Sequence, residues 1–98
     1  MPARREPRRI GEALAAVQRQ AAPQTPLAAV QLVWEEVVGE KVAGVAEPVA
    51  ERAGRVTVAC ASAVWAQELD LMSEDILRRL GETMEAPPTA LKFKARAD

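Results

Sequence analysis

The sequence predicts an α+β domain, a three-stranded sheet covered on one face by helices, in the order helix, helix, strand, strand, helix, strand. Three observations lead there. Apolar residues recur every three or four positions across 27–38 and again across 65–80. A two-residue alternation runs through 55–60 and 91–96. Proline or glycine stands at the boundaries between these patterns, at Pro23, Pro26, Gly39, Gly54, Pro87 and Pro88.

Taken in order, Arg4 and Arg5 between prolines leave residues 1–7 with little to bury, a mobile basic arm ahead of a single domain over residues 8–98. Ile10, Leu14 and Val17, with Ala13 and Ala21, form a narrow stripe that predicts an amphipathic helix from about Arg8 to Gln20. Thr25-Pro26 pairs a capping hydroxyl with proline at the first helical position, and Leu27, Val30, Trp34, Val37 and Val38 follow at helical spacing up to Gly39. After a short helical or irregular turn over Glu40–Gly44, Ala46–Glu51 reads as a strand, with Pro48 favouring an edge. Arg52-Ala53-Gly54 supplies a hairpin turn. Val56, Val58 and Cys60 then face one way, and Arg55, Thr57 and Ala59 the other. Ser62 caps the longest helix, with Trp65, Leu69, Met72, Ile76 and Leu80 on its stripe, Gly81 near its end and Pro87-Pro88 as a stop. The last strand, Thr89–Arg96, turns Leu91, Phe93 and Ala95 inward and Lys92, Lys94 and Arg96 outward, so the second sheet face is expected to be wet.

Composition narrows the function. A chain of 98 residues buries about 60–65% of its unfolded surface, so most of its 49% hydrophobic residues belong to the core. With no His and one Cys, it has no Ser-His-Asp or Cys-His nucleophile, imidazole metal site or multi-thiolate zinc cage. One thiol closes no intrachain disulfide, which fits a reducing cytoplasm. No apolar stretch approaches the roughly 20 residues that span a bilayer. The basic, alanine-rich start has the look of an organellar transit peptide, but Glu6 and Glu12 argue against that reading. No Gly-x-x-x-x-Gly-Lys-Ser/Thr signature occurs. These exclusions predict a protein that is not an enzyme, takes no cofactor, metal or small-molecule substrate, and does not enter a membrane.

A formal net charge of −1 conceals segregation. Residues 1–20 carry five Arg against two Glu, and residues 86–98 carry Lys92, Lys94 and Arg96 against Asp98. Residues 31–52 hold five acids against Lys41 and Arg52. Glu68, Asp70, Glu74, Asp75, Glu82 and Glu85 stand against Arg78 and Arg79. Two differently charged surfaces are predicted. The last acidic group reads most simply as the wet side of a helix, where opposite charges three or four apart contribute about 0.2–0.5 kcal/mol. Its functional alternative is a dock for a basic partner. Paired carboxylates such as Glu35 and Glu36, or Asp70 and Glu74, make no acid-base site without a pocket, although an i, i+4 pair on one helix face suits a hard cation.

Several ordered stretches carry a family likeness: Trp34-Glu35-Glu36-Val37-Val38-Gly39, Glu47-Pro48, then Gly54-Arg55-Val56-Thr57-Val58 leading to Ser62-Ala63-Val64-Trp65-Ala66-Gln67-Glu68-Leu69, and finally Leu91-Lys92-Phe93-Lys94. From about Leu27 to Arg96 the chain resembles the DciA family, bacterial proteins associated with loading or operating the replicative helicase. The resemblance implies a KH-like fold, a cytoplasmic protein, contact with a DnaB-type hexameric helicase and, in some members, with DNA. Any ATPase would belong to the partner. Longer members carry an extended flexible tail without a counterpart in this sequence, so activities that need one are not expected. A KH module that clamps nucleic acid uses a Gly-X-X-Gly loop, where glycine lets backbone approach phosphate, and the glycines of this chain are nowhere so spaced. The outline alone therefore brings no KH binding mechanism with it.

The candidate contact is electrostatic. Lys92, Lys94 and Arg96 project from one strand face about 6.6–7 Å apart, close to the phosphate spacing of an extended nucleic-acid strand. Arg55 joins them if its strand neighbours the last, and Arg4, Arg5, Arg8 and Arg9 of the arm add phosphate contacts. The same charges would equally keep an open sheet face soluble and its edge unpaired. Trp34 and Trp65 could anchor an interface, but both fall within apolar stripes, as expected of core residues. With Phe93 also inward, no ring is offered for base stacking, and binding should be weak, salt-sensitive and sequence-blind. The function expected is a replication accessory protein that binds a DnaB-type replicative helicase and contacts single-stranded DNA. The alternatives are an autonomous KH-like RNA- or DNA-binding module with no helicase partner, and a structural adaptor acting through the acidic helix.

Overall fold

The computed structural model describes residues 25–96. The basic arm and the helix expected over Arg8–Gln20 lie outside the described residues. Thr25 opens the first helix: its hydroxyl accepts from the Ala28 amide at 3.0 Å, and Pro26 takes a position that needs no donor. The helix α1 (Pro26–Val38) buries Val30, Trp34 and Val37 along one stripe. It stops at Gly39, whose φ of 93° suits glycine and whose amide closes on the Glu35 carbonyl at 2.8 Å. A single helical turn, α2 (Glu40–Ala43), leads into the sheet.

Strands β1 (Ala46–Arg52) and β2 (Arg55–Cys60) form an antiparallel hairpin. Ala53 and Gly54 make its turn with φ of 54° and 86°, the paired positive values that match the twist of the flanking strands. The Glu51 carboxylate accepts from the Gly54 amide at 2.8 Å and fixes that turn. Pro48 lies on the edge strand β1, beside a register shift between Pro48 and Ala50, where its missing donor is tolerated. Strand β3 (Ala90–Ala95) flanks β2 on the other side and runs parallel to it. The sheet is therefore mixed, with β2 at its centre.

A parallel pair needs a long crossover, and helices supply it. Ser62 caps the crossover by accepting from the Trp65 amide at 3.2 Å, as expected. The single long helix expected from there is two: α3 (Ala63–Leu71) and α4 (Ser73–Thr83), separated at Met72 with φ of −100° and ψ of 7°. Met72, expected on the apolar stripe, is 45% exposed. The break lets α3 pack on β2 and β3 while α4 turns to meet α1 as well as β3. Gly81 does not end α4, which continues to Thr83.

The core gathers Val30, Trp34 and Val37 from α1, Val56, Val58 and Cys60 from β2, Leu69 from α3 and Ile76 and Leu80 from α4. Leu91 and Phe93 are half-buried against it, whereas Ala95, expected inward with them, is exposed. Trp34 and Trp65 differ. The Trp34 indole N–H donates to the Ala46 carbonyl at 2.9 Å in a buried contact, tying α1 to β1, while Trp65 is only partly covered. Among the described residues no helix is long and apolar enough to cross a membrane.

Candidate nucleic-acid interface

The parallel register settles which cations share a surface. Arg55 is opposite Ala90, Thr57 opposite Lys92 and Ala59 opposite Lys94. Because side chains alternate along a strand, Arg55, Lys92 and Lys94 stand on the face turned away from the core, and all are exposed. The condition for Arg55 to join the row, a strand adjacent to the last, is met. Arg96 lies one residue past β3 and keeps the alternation, but its guanidinium donates to the Glu47 carboxylate on β1 at 2.8 Å. That exposed ion pair reaches over the central strand, and Ala59, which pairs with Glu47 in the register, is 6% exposed. Arg4, Arg5, Arg8 and Arg9 lie outside the described residues.

One cation escaped the sequence reading. Arg52 pairs with Arg55 at the mouth of the hairpin, which puts it on the same outer face, and it is exposed. Arg52, expected within the turn, is instead the last residue of β1, because the turn is Ala53-Gly54 alone and sets residue 52 opposite residue 55. The centre of the face carries only small side chains, Ala50, Thr57 and Ala59, so it is low and flat between its charged positions. The indoles and the Phe93 ring belong to the core side. The sheet face itself can attract phosphates but carries no ring on which a base could stack, and the half-buried Phe93 lines the open groove beside Arg55 and Lys92 at its margin.

At the start of β3 the face runs into an open groove of about 520 Å³, whose walls include Arg55 and Lys92 on one side and Gln67 and Asp70 of α3 on the other. Asp70 sets a carboxylate at the margin of the basic surface. Asp70 and Glu74 belong to different helices, separated at Met72, so they are not an i, i+4 pair on one continuous helix. Among the described residues no group of three or more His, Cys, Asp or Glu could hold a metal ion.

The acids of α4 are largely engaged with their own helix. Arg78 bridges Asp75 and Glu82, the latter at 3.2 Å, and Arg79 bonds Asp75 at 3.0 Å. Arg79 also donates to the Val37 carbonyl at 3.4 Å, joining α4 to the end of α1. The junction between α3 and α4 is Met72 with no glycine, unlike a loop built to clamp a phosphate backbone.

A comparison with curated proteins gives no match. The family model described as Dna[CI] antecedent, DciA, matches residues 9–93, which takes in every helix and all but the end of β3. That family implies a replication role associated with the DnaB-type helicase, and a match over nearly the whole sequence shows that the chain belongs to the DciA family.

Proposed function

We propose that this protein binds the DnaB-type replicative helicase in the cytoplasm and assists its loading or operation on single-stranded DNA, without catalysing a reaction itself. The family match over residues 9–93 is the observation that carries the helicase partner. The outward placement of Arg55, Lys92 and Lys94 on adjacent strands supports the DNA contact. The mechanism is positioning. Several weak phosphate contacts on the sheet, added to by Arg4, Arg5, Arg8 and Arg9 and by Arg96 once its pair with Glu47 opens, hold a strand beside a protein-bound ring and raise its local concentration there. The nucleotide-driven work stays with the helicase.

Copurification of the chain with the replicative helicase of its own organism tests the partner, followed by single-strand binding at two ionic strengths. The expected outcome is a complex at micromolar concentrations that persists when Lys92, Lys94 and Arg96 are changed to Glu, while DNA affinity falls. Nucleic-acid binding without any helicase complex would favour an autonomous binding module. A helicase complex with no DNA binding even at low salt would favour an adaptor.

A further inference from the structure

The first helix leaves one flank uncovered. Between α1 and the end of α4 lies an open groove of about 460 Å³, walled by Ala29, Leu32 and Val33 on one side and by Met84, Glu85 and Ala86 on the other. Leu32 is 66% exposed there, although it belongs to a helix whose opposite stripe is fully packed. We propose that this groove is the dock for residues 8–21 of the same chain, with Ile10, Leu14 and Val17 set against Leu32, Val33 and Met84.

Four observations carry this. The preceding chain joins the described residues at Thr25, which itself lines the groove, so the segment is tethered at the site. Val17 precedes Thr25 by eight residues, a connection of up to about 26 Å when extended, long enough for the chain to turn back along α1. The sequence places Ile10, Leu14 and Val17 on one stripe, yet an isolated helix of this length is marginal in water and needs a surface to lie on. The family match begins at residue 9, so the unit shared across the family takes in this segment and not only the described core.

Hydrogen–deuterium exchange on the full chain tests the dock. In the unaltered protein the amides of residues 10–20 should exchange at least tenfold more slowly than in Leu14→Glu or Leu32→Glu, with β2 equally protected in all three. Val49→Glu changes another exposed apolar residue outside the groove and should leave the segment protected. Free exchange of residues 10–20 in the unaltered protein overturns the proposal, as does protection that Leu32→Glu leaves intact. Protection that grows with protein concentration alongside a dimer in light scattering also overturns it, since the occupant would then come from a second copy. None of these outcomes depends on helicase or DNA binding.

Discussion

Trp34 joins two kinds of stabilisation in one side chain, because it is 3% exposed and its indole N–H satisfies the Ala46 carbonyl at 2.9 Å. Trp34→Phe keeps most of the volume and strands that carbonyl, and should cost about 1–3 kcal/mol, whereas Trp34→Ala also opens a cavity and should cost about 3–5 kcal/mol. Urea unfolding with an unchanged m-value checks both, and Trp65→Ala, from a half-buried site, should cost less than Trp34→Ala. The inward position of Trp34 is legible from its spacing with Val30 and Val37. Its hydrogen-bond partner is not, because nothing in a one-dimensional pattern says which carbonyl will end a strand beside an indole. Cys60, legible as core from the alternation of β2, shows how burial becomes a pH effect. Desolvation pushes its thiol above the ordinary value, against smaller opposing effects from the Lys94 backbone and the Arg96 charge. The unfolded thiol ionises first as pH rises, so this contribution is fully present below about pH 8.5 and is lost at higher pH. Stability measured from pH 7 to 10 should fall on the alkaline side, and Cys60→Ser or Cys60→Ala should flatten that limb. The same burial predicts that thiol reagents label Cys60 only at the rate at which the fold opens.

At the level of elements, helix period alone cannot distinguish one long crossover helix from two. Residues 65, 69, 72, 76 and 80 keep helical spacing straight through the break, and only the need to cover β3 with one piece and α1 with another separates α3 from α4 at Met72. Substitutions report which side of the break a residue serves. Leu69→Ala removes a side chain that is 1% exposed and should cost about 2–5 kcal/mol, while Met72→Ala should cost under about 1 kcal/mol, although both occupy the stripe read from sequence. The hairpin was more legible, from the glycine-containing break Arg52-Ala53-Gly54, although Arg52 belongs to β1 and the turn is Ala53-Gly54 alone. Its tertiary role was not: the Gly54 carbonyl accepts from the Thr89 amide at 2.8 Å, linking the turn to the start of β3. A Cβ on Gly54 would meet Thr89 Oγ1 at 2.9 Å, at a φ of 86° that L residues avoid. Gly54→Ala should therefore destabilise by about 1–3 kcal/mol, lowering the thermal midpoint and speeding exchange at both the hairpin and β3. Strand order and the parallel β2–β3 pairing had no local signal at all, because they follow from how the crossover helices pack.

Across the whole molecule, the segregation visible as charge blocks becomes a division between an outer sheet face bearing Arg52, Arg55, Lys92 and Lys94 and a helical layer where Asp75 and Glu82 are tied to Arg78 and Arg79. The blocks could be read from sequence, but the ion pair that subtracts Arg96 from the basic face could not, because Glu47 lies 49 residues away in the chain. This pair makes the size of the phosphate contact a measurable quantity. If Arg55, Lys92 and Lys94 each neutralise one phosphate of a single strand, affinity should fall about 20-fold between 50 and 200 mM salt, a slope of about 0.7 per contact. Lys92→Glu with Lys94→Glu should abolish most of that dependence and most of the binding. Glu47→Gln tests the remaining cation: an exposed pair contributes only about 0–1 kcal/mol to stability, so the fold should tolerate the change, while Arg96 is released to the face. Single-strand affinity should then rise at low salt, and the loss over the same salt range should steepen to about 50-fold as a fourth contact is added. A slope unaltered by Glu47→Gln would mean that Arg96 never reaches the bound strand, and a slope unaltered by the lysine substitutions would remove the sheet face from DNA binding altogether.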